Sequence, residues 1–388
     1  MRSLSSLAMV LLAACGPLTP PKTDAGSGGG GGGTGGNGGG AITGGGGGNT
    51  GGGGGTSGGG GGATGGGGGG GAVGGGGGAA DAGDGVWDFA TIALNPAPTN
   101  SGAIVGFAET DAGIYAVSGA GRVYRSTGGP FLELFSFPGL QPVDFEASAS
   151  GHFFIITTVH FLECAADCGD AGAWVDRQIS ASNEVLDSLC VVDGDHALAI
   201  GTQGGGNDGI SYRWNGSTLA PAASLIGAFG PDNCWKGASG DFFIPADDVV
   251  LRYSPTTEGF TPEPTVPMQG WRGGGSSPGH EWVTGTGPLI AERGQTSWTN
   301  VYAPSGTSTA SLVSVIGVSP TLAFAFGGGF TSSGQAGYRF DGTSWSALTP
   351  DIPVMNVTFS AFRSAAGPIY VGGYDLNQYP AIVRGARR

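Results

Sequence analysis

The chain has 388 residues, 85 of them glycine and only two of them lysine, and a formal net charge of −14. Without a basic stripe to neutralise phosphates, nucleic acid is a poor partner. Charged residues make up 11%, too few for a disordered polyelectrolyte, so the acidic excess reads as solubility and weak repulsion from anionic surfaces.

Met1 to Cys15 reads MRSLSSLAMVLLAAC. Arg2 supplies a short positive region. Leu4 to Ala14 is mostly apolar but too short to span a bilayer, which needs about 20 residues. Residues 1–14 therefore read as a secretory signal peptide. The end of that segment, Leu12-Ala13-Ala14-Cys15, resembles the bacterial lipobox. The resemblance implies cleavage before Cys15, lipidation of its thiol and a membrane anchor, since buried acyl chains contribute about 0.8 kcal/mol per CH₂. Gly16, rather than Asp, follows the cysteine. In Gram-negative lipoprotein sorting that points to the outer membrane.

Residues 15–85 form the next segment. Of the 55 positions from Gly26 to Ala80, 39 are glycine. Such a stretch cannot bury enough apolar surface to offset its chain entropy, so a disordered tether is expected. The coil's typical end-to-end distance is about 45 Å. The arrangement resembles the glycine-tract lipoproteins common in myxobacteria.

From Val86 to Arg388 the pattern is β: short runs of Val, Ile, Phe, Tyr and Trp alternate with Gly, Pro, Asp and Ser clusters. One strand recurs as GIYAVSG, HFFIITT, HALAIGT, DFFIPAD, HEWVTGT, TLAFAFG and PIYVGGY. The copies start at Gly113, His152, His196, Asp241, His280, Thr321 and Pro368. Seven copies about 43 residues apart predict an all-β fold, a seven-bladed β-propeller with four strands per blade. A second strand follows each copy and carries Arg125, Arg177, Arg213, Arg252, Arg293, Arg339 or Arg384. The last copy lacks a fourth strand. Val86 to Leu94 has that strand's pattern, so the N-terminal strand is expected to close the last blade. Turns such as FDGTSW at Phe340 resemble those of kelch-like and Asp-box propellers, although the full Asp-box pattern is met nowhere.

Candidate chemistry is sparse. The arginine series reads as packing, with stems on the neighbouring sheet and heads held by carbonyls or carboxylates. His152, His196 and His280 precede equivalent strands and read as surface turn residues, too dispersed to converge on a metal. His160 stands isolated in a strand, and Asp247-Asp248 reads as a solvated turn. No catalytic elbow, zinc-protease or phosphate-loop pattern occurs. No cofactor is therefore expected, with calcium on Asp-rich loops the one exception kept open. With Cys15 lipidated, four cysteines remain in an oxidising compartment. The closeness of Cys164 and Cys168 suggests one disulfide, and Cys190 with Cys234 follows by elimination; zinc is the rival.

These readings predict a lipid-anchored envelope protein whose propeller is a non-enzymatic binding or scaffold module for a protein or glycan. The alternative is a hydrolase or lyase acting on extracellular glycans. Function is expected on the face bearing the loops between second and third strands. Those loops are taken as Cys164–Ala171, Gln203–Gly209, Gly327–Ala336 and Tyr374–Pro380. Their candidate binding residues are Asn207, Asp208, Gln335, Tyr374, Asp375, Asn377 and Tyr379.

Overall fold

The computed structural model describes residues 85–99, 102–165, 168–179, 183–203, 208–222, 233–246, 249–264, 270–287, 289–303, 311–328, 337–348, 353, 355 and 357–388. The signal peptide, Cys15, the tether up to residue 84, Asp247-Asp248, Asn207 and Gln335 lie outside them.

Strand β1 (Trp87–Ile92) and the two-residue β2 (Leu94–Asn95) come first. Antiparallel meanders follow. The first comprises β3 (Ile104–Thr110), β4 (Gly113–Ser118), β5 (Arg122–Ser126) and β6 (Phe131–Ser136). The next is β7 (Pro142–Ala147), β8 (Phe153–Thr157), β9 (His160–Cys164) and β10 (Val175–Gln178). Then come β11 (Glu184–Val191), β12 (Ala197–Gln203), β13 (Asp208–Trp214) and β14 (Leu219–Pro221). Short β15 (Trp235–Lys236) leads into β16 (Phe242–Ala246), β17 (Val249–Ser254) and β18 (Gly259–Pro262). Next are β19 (Trp271–Ser277), β20 (His280–Gly285), β21 (Leu289–Arg293) and β22 (Trp298–Tyr302). These precede β23 (Ser311–Ser319), β24 (Leu322–Gly328), β25 (Gly337–Phe340) and β26 (Trp345–Ala347). The chain ends with β27 (Val357–Arg363), β28 (Ile369–Tyr374) and β29 (Pro380–Arg387).

This is an all-β propeller fold with four-stranded blades. Its core lies between neighbouring sheets. The second strand of each meander is buried on both faces, which is why it reads as a continuous apolar run rather than an alternation. One cluster joins Tyr115 and Val117 of β4 to Phe145 of β7 and Ile155 of β8. Another joins Phe324 and Phe326 of β24 to Ile369, Val371 and Val383, with Trp87 and Phe89 packed against it.

The N-terminal strand closes the last meander as expected. β1 pairs antiparallel with β29, from Trp87↔Arg387 to Ile92↔Ile382. The Trp87 and Phe89 rings meet Phe324 at 5.1 and 5.7 Å.

The expectation of seven separate sheets is not met. Five sheets are blade-sized, four of four strands and one of five that also takes in β2. The sixth has eight strands, because β19 and β23 touch through a parallel pairing at Gly274↔Ser314. Glycine explains the merger. A Cβ on Gly273 or Gly275 would fall inside the van der Waals shell of the Val313 or Val315 carbonyl. Only the bare backbone of WRGGGSS lets two inner strands come this close.

Six of the inner strands carry a β-bulge against their second strand at the same place, between Ile104/Gly106, Pro142/Asp144, Leu186/Ser188, Trp271/Gly273, Leu312/Ser314 and Thr358/Ser360. Each bulge leaves one residue out of the ladder and bends the strand.

Candidate binding face

The topology defines two faces. In an antiparallel meander the turn between the second and third strands shares a face with the connection to the next meander. The first–second and third–fourth turns lie on the other. We call these the loop face and the short-turn face.

One of the expected loops changes place on this count. Cys164–Ala171 joins β9 to β10, the third and fourth strands, so it belongs to the short-turn face. The cause is a turn the composition hides. The Thr157 hydroxyl accepts from the Val159 and His160 amides at 3.2 and 2.9 Å, which folds HFLEC back as β9. Arg177 consequently lies on the fourth strand, β10, not on the third. Tyr374–Pro380 does lie on the loop face, but as a hairpin in which Tyr374 pairs directly with Pro380. The Asp375 carboxylate accepts from the Asn377 and Tyr379 amides at 2.8 and 3.0 Å. That carboxylate holds the turn rather than standing free for a ligand. Asp208 opens β13 opposite Gln203.

Among the described residues, exposed apolar side chains gather on the loop face. Among the described residues nine large apolar side chains are exposed: Val86, Leu132, Val159, Val175, Val185, Val301, Phe359, Leu376 and Tyr379. Val86, Leu132, Val175 and Val301 lie on or beside the outermost strands. The other five all lie on the loop face. Phe359, the bulged residue of β27, is 40% exposed and its ring lies 5.7 Å from that of Tyr374. Leu376, at 62%, and Tyr379 complete this corner. The short-turn face instead exposes Asp111, Asp170, Asp193, Asp195 and Asp341. Asp341 shows what they do. Its carboxylate accepts from the Thr343 and Ser344 amides, which pull it well below the usual carboxylate range to about 2.

Ionisable side chains elsewhere pair within a meander, and in places between meanders. The arginines Arg125, Arg213, Arg252, Arg339 and Arg384 all sit on the third strand across from one position of the second, paired with Tyr115, Leu198, Phe243, Phe324 and Tyr370. In the remaining two meanders that place holds Glu163 and Glu292, opposite Phe154 and Trp282. There the second strand is preceded or opened by a histidine. His152 stacks on Phe154 and bonds to Glu163 at 3.2 Å, and His280 stacks on Trp282 and bonds to Glu292. His152 is buried, so it is not the surface turn residue that its position suggested. His196 is exposed and pairs with Asp193, whose carboxyl is lowered below its ordinary value by backbone and imidazole hydrogen bonds that outweigh the cost of its burial. His160 pairs with Asp176 at 2.9 Å. Glu163 also accepts from Arg177 at 2.8 Å, while Arg177 lies over Trp214. Arg293 bridges the buried Glu263 and Glu281, each at 3.0 Å.

Asp144 and Glu146 of β7 cap the free edge of β11. Asp144 accepts from the Leu189 amide at 2.8 Å and Glu146 from that of Val191 at 2.9 Å. Both keep some accessible surface, yet protein packs around their carboxyls. Burial raises Asp144 to about 6, against the pull of its hydrogen bonds. Burial, and then the Asp144 charge, raise Glu146 well above its ordinary value. Both disulfides are formed, Cys164–Cys168 and Cys190–Cys234. Among the described residues no cluster of His, Cys, Asp and Glu is placed to hold a metal ion.

The residues missed by sequence reasoning are Val159, Val185, Phe359 and Leu376. Leu376 left a signal, an aliphatic residue inside the polar turn DLNQ. Phe359 left none, because bulges carry no compositional mark.

The sequence matches no protein-family model. It also matches no curated protein. Solved propellers resemble it in fold alone. Virginiamycin B lyase from Staphylococcus aureus superposes with a TM-score of 0.61 at 11% identity, over 78% of this chain and 100% of that one. A YCF48 structure bound to a D1 peptide gives 0.59 at 13%, over 78% and 95%. The extracellular domain of BT4673 from B. thetaiotaomicron gives 0.55 at 11%, over 76% of this chain and 39% of that one.

Proposed function

We propose that the protein is an outer-membrane lipoprotein whose propeller binds an extended, apolar segment of a partner protein on its loop face. It acts as a binding or scaffold module rather than an enzyme. The observation that carries the reading is the segregation of exposed apolar side chains. Those away from the outermost strands lie on one face, and the opposite face carries turn aspartates. A patch rimmed by polar turns is where a partner's apolar side chains are best received. The histidines make their hydrogen bonds within their own blades, while Asp144, Glu146 and Arg293 reach a neighbouring one. A propeller relative in the fold sense, YCF48, holds a peptide, which agrees with this choice of partner. With the eight-stranded sheet counted as two blades, the ring has seven. Its DGTSW turn is of the kelch-like kind.

The anchor rests on Leu12-Ala13-Ala14-Cys15 and on Gly16. Cys15→Ser should move the protein from the detergent-soluble membrane fraction to the soluble one; unchanged fractionation contradicts the anchor. The binding reading is tested by presenting a random peptide library to the full mature chain. Enriched peptides should share an aromatic or aliphatic residue and lose about tenfold in affinity against Phe359→Ser, a change of about 1.4 kcal/mol. Retention that is indifferent to that substitution contradicts it, and glycan turnover by the same protein would favour an enzyme instead.

A further inference from the structure

The ring's closure builds a second concavity, away from the loop face. Register places Asp88 opposite Ala386 and Ala90 opposite Arg384. Along one face of the β1–β29 ribbon the two alanines therefore make a floor, with Arg384 and Arg388 above and below it. The Gly128-Gly129-Pro130 turn of the neighbouring meander forms the far wall. The result is a groove of about 480 Å³, also lined by Arg387. That volume suits a small ligand.

The charge of this groove runs against the rest of the molecule. The chain is acidic overall, yet three of its 15 basic residues converge here. A single carboxylate side chain lines the groove, Asp88, and it pairs with Arg388. Among the described residues Arg384 makes no ion pair, and the wall glycines Gly128 and Gly129 have open space around them. The Arg384 head is not held in an ion pair, unlike that of Arg293, and the Arg388 head is held by Asp88 alone among the carboxylate side chains of the groove. Guanidinium forks match phosphate oxygens bidentately, and alanine floors leave the room such a group needs.

We propose that this groove is an anion site for a small phosphate ester or diphosphate, gripped by Arg384 and Arg388, with Asp88 holding Arg388 when the site is empty. In this arrangement Asp88 competes with the ligand. Its removal should tighten binding, whereas a purely structural Asp88–Arg388 pair predicts no such gain.

The test is calorimetric titration of the full chain with pyrophosphate and with glycerol phosphate at low salt, alongside melting temperatures. Arg384→Gln should weaken pyrophosphate binding about tenfold or more, with Arg384→Lys intermediate because it keeps the charge and loses the fork. Asp88→Asn should strengthen binding, and raised salt should weaken it throughout. Absence of binding by the parent chain overturns the proposal. So does affinity unchanged in a folded Arg384→Gln chain, or weaker binding in Asp88→Asn. Association with phosphatidylglycerol vesicles without any binding of the soluble phosphates also overturns it, since that would make the groove a lipid contact.

Discussion

Single side chains decide how the strands of one blade hold each other. Glu163 is buried and accepts from both His152 and Arg177. Glu163→Ala leaves those donors facing each other without an acceptor. We expect a loss of about 2 kcal/mol in denaturant unfolding, discounted because Arg177 is partly exposed, against under about 0.5 kcal/mol for the exposed His196→Ala. Equal effects would show that Glu163 is not a staple. Asp144 makes a pH-dependent contribution. Its carboxyl titrates at about 6 in the folded protein, above the ordinary 3.8, so the folded state binds the extra proton. Its stabilisation is complete below the unfolded value and is lost as pH rises through about 6. The difference in melting temperature between Asp144→Asn and the parent should therefore change between pH 4 and pH 7. A constant difference contradicts the burial argument. None of this was legible beforehand. The cysteine pairs were, because closeness in sequence selects Cys164–Cys168 and leaves one partner for Cys190. The Asp144 and Glu146 caps depend on which edge of β11 faces β7, and sequence patterning does not report that.

At the scale of strands, the second strands were the easiest to find. Burial on both faces makes them apolar throughout, so HFFIITT and DFFIPAD stand out. β9 was hidden because its turn, Thr158-Val159, contains no Gly, Pro, Asn or Asp. With β9 unseen, the spacing puts Arg177 on a third strand and the Cys164 loop on the wrong face. The closing strand was legible because the last copy lacked a partner. A chain beginning at Asn95 should lose several kcal/mol, since it exposes the β29 edge and uncovers Phe324. A melting temperature equal to the parent's would refute closure. The merged sheet makes a second test. Gly273→Ala should cost more than about 2 kcal/mol, because its Cβ has no room beside Val313, whereas Gly240→Ala lacks that clash and carries only backbone strain. The Cys190–Cys234 bridge closes a loop of 44 residues and Cys164–Cys168 one of 4. Replacing both cysteines of a pair by alanine should cost about 4 and about 2 kcal/mol respectively on chain-entropy grounds.

Over the whole molecule, the described residues gather exposed apolar side chains on one face and turn aspartates on the other. The exposed ends of the inner strands and the second–third turns carry Val159, Val185, Phe359, Leu376 and Tyr379. Water-facing apolar side chains gathered on one rigid face favour a partner that covers them. The sequence pointed to this face from loop length, and two of its named residues, Tyr374 and Tyr379, fall in the apolar corner. Phe359 and Leu376 join them through a bulge and a tight turn. The most direct measurement is amide hydrogen exchange on the full mature chain, with and without a peptide selected from the library. Slowed exchange confined to residues 357–363 and 374–380 is the predicted result. Slowed exchange at the aspartate turns, 193–195 and 341–344, with the apolar corner unchanged, would contradict the assignment of the binding face.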